Sequence, residues 1–338
     1  MDTLKIGILG AGRIGKVHAA SISQHIDNAE VVAVADPNIG EAIHLTQKLK
    51  IPFNTDDSAK IFRNDDIDAV VICSPTDTHT EYIKMAAEKG KHIFCEKPID
   101  MDISKIMEIN RIVEKAGIQM MVGFNRRFDP NFAKIKSLVS EGKIGDPHIL
   151  KITSRDPGPP PMEYIQSSGG LFLDMAIHDF DMARFITGDE VTEVYSRGTV
   201  LVDPEIGALG DIDTAITVLQ FRNGAIGVID NSRKAVYGYD QRLEIFGSGG
   251  MAKIDNNLPE NHELYNDRGS HKSKPLHFFM ERYTESYYQE MKEFINVVQQ
   301  GGTPSVNGQD GLMSVAIGLA AKKSVHENRP IKMDEVLS

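Results

Sequence analysis

Six residues near the start limit this chain more than any other feature. Gly10-Ala11-Gly12-Arg13-Ile14-Gly15 follows the apolar run Leu4–Leu9 and opens an amphipathic stretch at 13–25. In a strand–loop–helix unit the first glycine permits the tight turn, the second lets a pyrophosphate approach the backbone, and the third lets helix and strand pack closely. The helix start, with Arg13 and Ile14 in its first turn, then offers N–H groups and a positive dipole end to phosphates. A second apolar run ends at Asp36, 21 residues after Gly15. A carboxylate there accepts both ribose hydroxyls and repels the extra phosphate of NADP. No basic residue stands in Asp36-Pro37-Asn38-Ile39 to receive that phosphate. The spacing predicts NAD as cofactor.

The pattern around this loop repeats. Up to about residue 125, short β-rich runs (4–9, 31–35, 69–73, 92–95, 119–122) alternate with helical patterns at about 13–25, 40–49, 78–89 and 102–116. Strands that are apolar on both sides and separated by helices predict a doubly wound parallel sheet, so the fold class is α/β. After Asn125 the rhythm changes. A helix at about 129–140, a strand at 147–154 and a helix over Ser168–Thr187 are followed by two-residue alternation at 191–200, 213–221, 225–231, 241–246 and 251–254. Asn223-Gly224 supplies the turn chemistry of a tight hairpin. This half is expected to be α+β, with a large, mainly antiparallel open sheet and closing helices at about 279–299 and 309–327. The expected domains are residues 1–125 and 126–338, sharing a cleft.

Composition narrows the partners. Thirty-seven Lys and Arg against 48 Asp and Glu leave a formal charge of −11, which argues against a nucleic-acid or anionic-lipid surface. The apolar runs are too short to span a bilayer, and no leader precedes Leu4, so a cytoplasmic protein is expected. Cys73 and Cys95 follow apolar runs and read as buried reduced thiols rather than a disulfide or a metal site.

Three more groups carry candidate chemistry. Ser74, Thr76 and His79 lie in a loop after the third run, where ligands bind in open α/β sheets; His79 alone also reads as an ordinary helix-start residue. Glu96-Lys97-Pro98 follows the fourth run, and a lysine held between a buried strand and a proline can donate to the oxygen of a reacting alcohol. Asp174 and His178 stand four apart, which puts both on one face of a helix. A histidine there can take a proton near neutral pH, while the carboxylate orients it or binds substrate. The bland reading of that pair is a solvated helix surface. No metal is expected.

Taken together, the phosphate loop, Glu96-Lys97-Pro98 and the segment Gly169–Asp181 resemble the glucose-fructose oxidoreductase/inositol dehydrogenase/rhizopine catabolism family over essentially the whole chain. The stretches 123–129, 154–157, 201–207, 230–233 and 237–241 are similar to its bacterial inositol-oxidising branch. The resemblance implies a Rossmann domain, a homotetramer joined through sheet faces, and oxidation of a small polyol such as a cyclitol. It implies His178 as general base, Lys97 stabilising the alkoxide, and Asp174 beside them. It adds Asn125 and Glu96 to the cofactor residues, and Arg126, Asp156 and Tyr237 to the substrate hydroxyls. It also leaves a sugar dehydrogenase, an NAD-dependent glycosidase and a non-catalytic NAD-binding sensor as alternatives.

Overall fold

The computed structural model describes residues 3–338. These form two compact units. One runs to Phe128 and takes up Glu285–Met313; the other holds Asp129–Thr284 and Ser314–Ser338.

The first unit is built on a six-stranded sheet of β1 (Leu4–Leu9), β2 (Ala29–Ala35), β3 (Phe53–Thr55), β4 (Ala69–Ile72), β5 (His92–Glu96) and β6 (Met120–Gly123). Every pairing is parallel and the order is β3-β2-β1-β4-β5-β6. Ile6, Ile8, Val70, Val71, Ile72, Ile93 and Phe94 are fully buried, as strands covered on both faces must be. β3 escapes the sequence pattern because Phe53-Asn54-Thr55 is three residues long and has a single buried side chain. The helix Thr284–Gln300, expected in the second domain, belongs from Glu285 onward to this unit. It buries Met291, Phe294 and Ile295, with Phe294 edge-on to Phe94 at 5.8 Å. Beyond it, the N–H of Val122 on the edge strand β6 donates to the carbonyl of Val306 at 3.1 Å.

That helix also carries Glu290 into the core. His18 Nε2 lies 2.7 Å from Glu96 Oε1 and 4.0 Å from Glu290 Oε1. Both Glu290 oxygens are buried without a hydrogen-bond partner. Burial, reinforced by the charge of Glu96, pushes the Glu290 carboxyl well above the ordinary glutamate range, which favours its neutral form.

The second unit has a seven-stranded sheet: β7 (Pro147–Arg155), β8 (Val191–Thr199), β9 (Thr214–Phe221), β10 (Ile226–Ser232), β11 (Asp240–Gly247), β12 (Gly250–Ile254) and a late β15 (Ile331–Lys332). A separate exposed hairpin pairs β13 (Glu263–Asn266) with β14 (Gly269–Lys272). The large sheet runs β12-β11-β7-β10-β9-β8-β15. It is mixed: β7 and β10 pair in parallel, because β10 enters between β7 and β9 rather than folding back on its sequence neighbour alone. The inner face presents Leu150, Ile152, Leu219, Ile229, Leu243 and Ile245, all buried, and the helix Ile177–Thr187 packs on β7. The other face carries an apolar row across four strands, Met251–Phe246–Ile149–Ile226, each residue 40–50% exposed. Among the described residues no helix is long and apolar enough to cross a membrane.

A raised carboxyl pKa means that the folded state binds more protons than the unfolded chain once pH exceeds the unfolded value of 4.5. Stability then falls as pH rises from there toward the raised native value. Glu290→Gln removes that proton uptake. Its melting temperature is expected to exceed wild type by more at about pH 9 than at about pH 5. A difference independent of pH in thermal melts would contradict the raised pKa of Glu290.

Candidate active site

Parallel strands deliver their carboxyl ends to one edge, so the loops after them converge. Gly10 follows β1, Asp36 follows β2, Ser74 and Thr76 follow β4, Glu96 ends β5 with Lys97 next, and Asn125 and Arg126 follow β6. Gly10 has φ +101°, and a Cβ there would sit 2.7 Å from the backbone of Cys73. At Gly15 a Cβ would come within 1.9 Å of the Gly10 carbonyl oxygen. Gly12 differs: a Cβ there meets no protein atom within 4 Å, so the open space belongs to a ligand rather than to packing. The helix Arg13–His25 starts with no side-chain cap and no acid in its first turn, leaving its N–H groups to an anion. The carboxylate of Asp36 accepts from Ala11 N–H at 2.7 Å and Asn38 N–H at 2.8 Å, which aims it along the same loop. A dinucleotide fits this cradle.

Two of the expected cofactor residues turn inward. His79 is 1% exposed, its ring nitrogens 2.8 Å from the carbonyl oxygen of Pro98 and 2.9 Å from that of Ser74. It joins the loop after β4 to the segment after β5, and burial pushes its pKa down. Glu96 points at His18, and its Oε2 accepts from the N–H of Lys97 at 3.3 Å. Asn125 and Arg126 lie in the buried turn Asn125–Phe128, where Asn125 Nδ2 donates to Ser286 Oγ at 3.3 Å. Lys97 is half-buried, and its peptide bond to Pro98 is cis. Cys73 and Cys95 are free thiols, and burial raises both far above the ordinary thiol range, which makes them poor nucleophiles.

In the second unit the predicted helix over 168–187 is interrupted. Gly169 and Gly170 take φ of +84° and +79°, and the Asp211 carboxylate accepts the N–H of Leu171 at 3.1 Å. Leu171–Met175 then forms a wide π-helical turn before the helix Ile177–Thr187 begins. Wide turns of this kind re-aim side chains and recur at functional sites. From Leu171 to Arg184 every residue is buried except Asp174 and His178. The pair therefore opens from a closed segment, although Asp174 sits on the wide turn and not on a regular helix face.

Asp174 is held from two sides: Oδ1 accepts from the Tyr164 hydroxyl and Oδ2 from Arg233 Nη1, both at 2.9 Å. Neither partner was among the sequence candidates. Arg233, just after β10, stands 59 positions from Asp174, so only the folded chain joins them. Asp156 lies 3.8 Å from the same Arg233 nitrogen. Tyr237 has protein partners of its own. Its hydroxyl donates to Asp240 at 2.6 Å and accepts from Arg155 at 3.1 Å, beside an open pocket of about 230 Å³ lined also by Thr214, Asp230 and Ser232. Among the described residues the one cluster with metal-ligand donors is His18, Glu96 and Glu290, away from Asp174 in sequence and unit.

Comparison with known proteins decides the family. Residues 4–124 match the oxidoreductase family with an NAD-binding Rossmann fold, and residues 132–253 match the GFO/IDH/MocA C-terminal domain. The chain belongs to the GFO/IDH/MocA oxidoreductase family. It is 48% identical over 334 residues to the myo-inositol 2-dehydrogenase of Thermotoga maritima, covering 99% of this chain and 100% of that protein. It is 46% identical over 334 residues to the inositol 2-dehydrogenase of Rhizobium meliloti, covering 98% and 99%. A crystal structure of a probable dehydrogenase from Thermotoga maritima superposes with a TM-score of 0.97 at 48% identity, covering 98% of this chain and all of that one. The first unit of this family member is its NAD-binding domain.

The two glycines make separable predictions. Gly12→Val should keep the melting temperature, because φ is −70° and the space is empty, yet lose NAD binding by calorimetry. Gly15→Val should lose stability itself, through the clash with the Gly10 carbonyl. Asp36→Ala should weaken NAD and narrow the gap to NADP; an unchanged cofactor ratio in steady-state kinetics would remove Asp36 from the ribose site.

Proposed function

We propose that this oxidoreductase oxidises a cyclitol, myo-inositol foremost, to the 2-ketone scyllo-inosose. The observation that carries the reading is the opening of Asp174 and His178 alone from the closed segment 171–184. The near full-length identity to two inositol dehydrogenases supports the substrate class. Bound NAD⁺ supplies the hydride acceptor. His178 takes the proton of the reacting hydroxyl as the carbinol hydride leaves, and the products are the ketone, NADH and a proton. Lys97 donates to the oxygen while it carries negative charge, a preorganised contribution of about 3 kcal/mol. Asp174, held as an acceptor by Tyr164 and Arg233, receives a neighbouring hydroxyl. Asp156 and Arg126 serve the remaining hydroxyls. For Tyr237 the engagement of its hydroxyl by Arg155 and Asp240 speaks against a substrate contact.

We also propose a homotetramer in the cytoplasm. The apolar row Met251–Phe246–Ile149–Ile226 is the kind of exposed surface that a second copy covers, and two protonated, largely buried thiols suit a reducing compartment. Phe246→Glu should shift the mass measured by light scattering to a smaller species; an unchanged mass would remove this face from the assembly.

The direct test mixes the protein with NAD⁺ and myo-inositol, scyllo-inositol, D-chiro-inositol or D-glucose and follows NADH absorbance. Reduction with myo-inositol, absent with NADP⁺, is expected. Lys97→Met and His178→Ala should each lower turnover by about 100-fold or more while NAD still binds. A fully active Lys97→Met variant would overturn the mechanism, and sugar release without net NADH would replace dehydrogenation by hydrolysis.

A further inference from the structure

We infer that Arg233 is a positioning residue for the reaction, setting two carboxylates, Asp174 and Asp156, as fixed hydrogen-bond acceptors for a polyol. The inference rests on the dehydrogenase reading above and goes beyond it by naming what holds the substrate carboxylates in place.

The strand register creates the contact. β7 and β10 run parallel, with Arg155 opposite Ser232 as the last pair, so Asp156 and Arg233 leave the sheet side by side. Asp156 N–H donates to the Ser232 carbonyl at 2.9 Å, and Arg233 N–H donates to the Asp213 carbonyl at 2.8 Å, which pins both backbones. The guanidinium then places Nη1 at 2.9 Å from Asp174 Oδ2 and 3.8 Å from Asp156 Oδ2.

This arrangement is a poor device for stability. Arg233 is 1% exposed, and its Nε and Nη2 meet no hydrogen-bond partner. Removing a guanidinium from water with one close ion pair and two unanswered donors costs about as much as the pair returns, so an apolar side chain of similar volume would serve folding equally well. The gain lies in what the cation does to its neighbours. It fixes one oxygen of Asp174, with Tyr164 fixing the other. A carboxylate held in this way accepts from donors, so it suits a substrate hydroxyl and not a carbonyl or carboxylate oxygen.

The test is a double-mutant cycle on the intact protein, with NAD⁺ and myo-inositol. Arg233→Lys and Asp174→Asn are made singly and together. Arg233→Lys keeps a cation but loses the planar fork, and should lower kcat/KM by about 10- to 100-fold while leaving NAD affinity and melting temperature near wild type. If Arg233 acts through Asp174, the double variant should be no slower than Asp174→Asn alone. Arg233→Met should fall further in kcat/KM than Arg233→Lys yet melt within a few degrees of wild type. Multiplicative effects in the cycle would overturn the role, as would a melting-temperature loss that tracks the activity loss across the Lys and Met variants. An active wild type with a fully active Arg233→Lys and Arg233→Met would overturn this inference and leave the dehydrogenase reading intact. A wild type silent on every cyclitol would overturn both.

Discussion

A parallel sheet must be buried on both faces, and the first unit is organised around that demand. It requires crossover helices on each side, and the crossovers bring every strand's carboxyl end to the same edge. Gly10 and Gly15 let the first crossover helix approach closely enough to bury β1, and the same closeness leaves the helix start open toward the loops. The nucleotide cradle is thus a by-product of burying strands efficiently. What the chain adds is specific: an empty space at Gly12 and a carboxylate at Asp36 aimed along the loop.

The second unit solves a different problem, because one face of its sheet is covered and the other carries an apolar row. Its inner face is not purely hydrophobic. Ser154, Asn231 and Gln241 are buried there, with Asn231 donating to Asp179 at 2.8 Å and Gln241 to Ser154 at 3.0 Å. The Asn231–Asp179 bond ties the helix Ile177–Thr187 to the sheet in one register. The direction in which His178 opens follows from that register.

Legibility in the sequence followed the range of the interactions. The doubly wound sheet, the glycine loop and the alternating strands of the second half could be read directly, because local periodicity and turn residues determine them. The parallel β7–β10 pairing could not, since nothing local records that residues 77 positions apart in sequence, such as Ile149 and Ile226, are partners once other strands intervene. Spacing put Asp174 and His178 together, but the wide turn between Gly170 and Ala176 depends on Asp211, far along the chain. His79 and Glu96 sit where ligand loops begin, and the sequence pattern does not tell an outward side chain from one that ties two loops together. Tyr164 lies in no motif and Arg233 only at the end of the stretch 230–233; their relevance shows through the carboxylate they share.

The return of Glu285–Met313 to the first unit bears on how the protein comes into being. A ribosome releases residues 1–128 long before the helix that buries Phe294 against Phe94, or the segment whose Val306 carbonyl answers Val122. During that interval the nascent nucleotide domain has an unfinished face and an open strand edge. Its core closes only after the whole of the intervening unit has been translated. The two units are therefore not modules that could be cut apart at residue 128 or traded between proteins at a single junction. The chain is one folding obligation, whose earliest-made part is among the last to be completed.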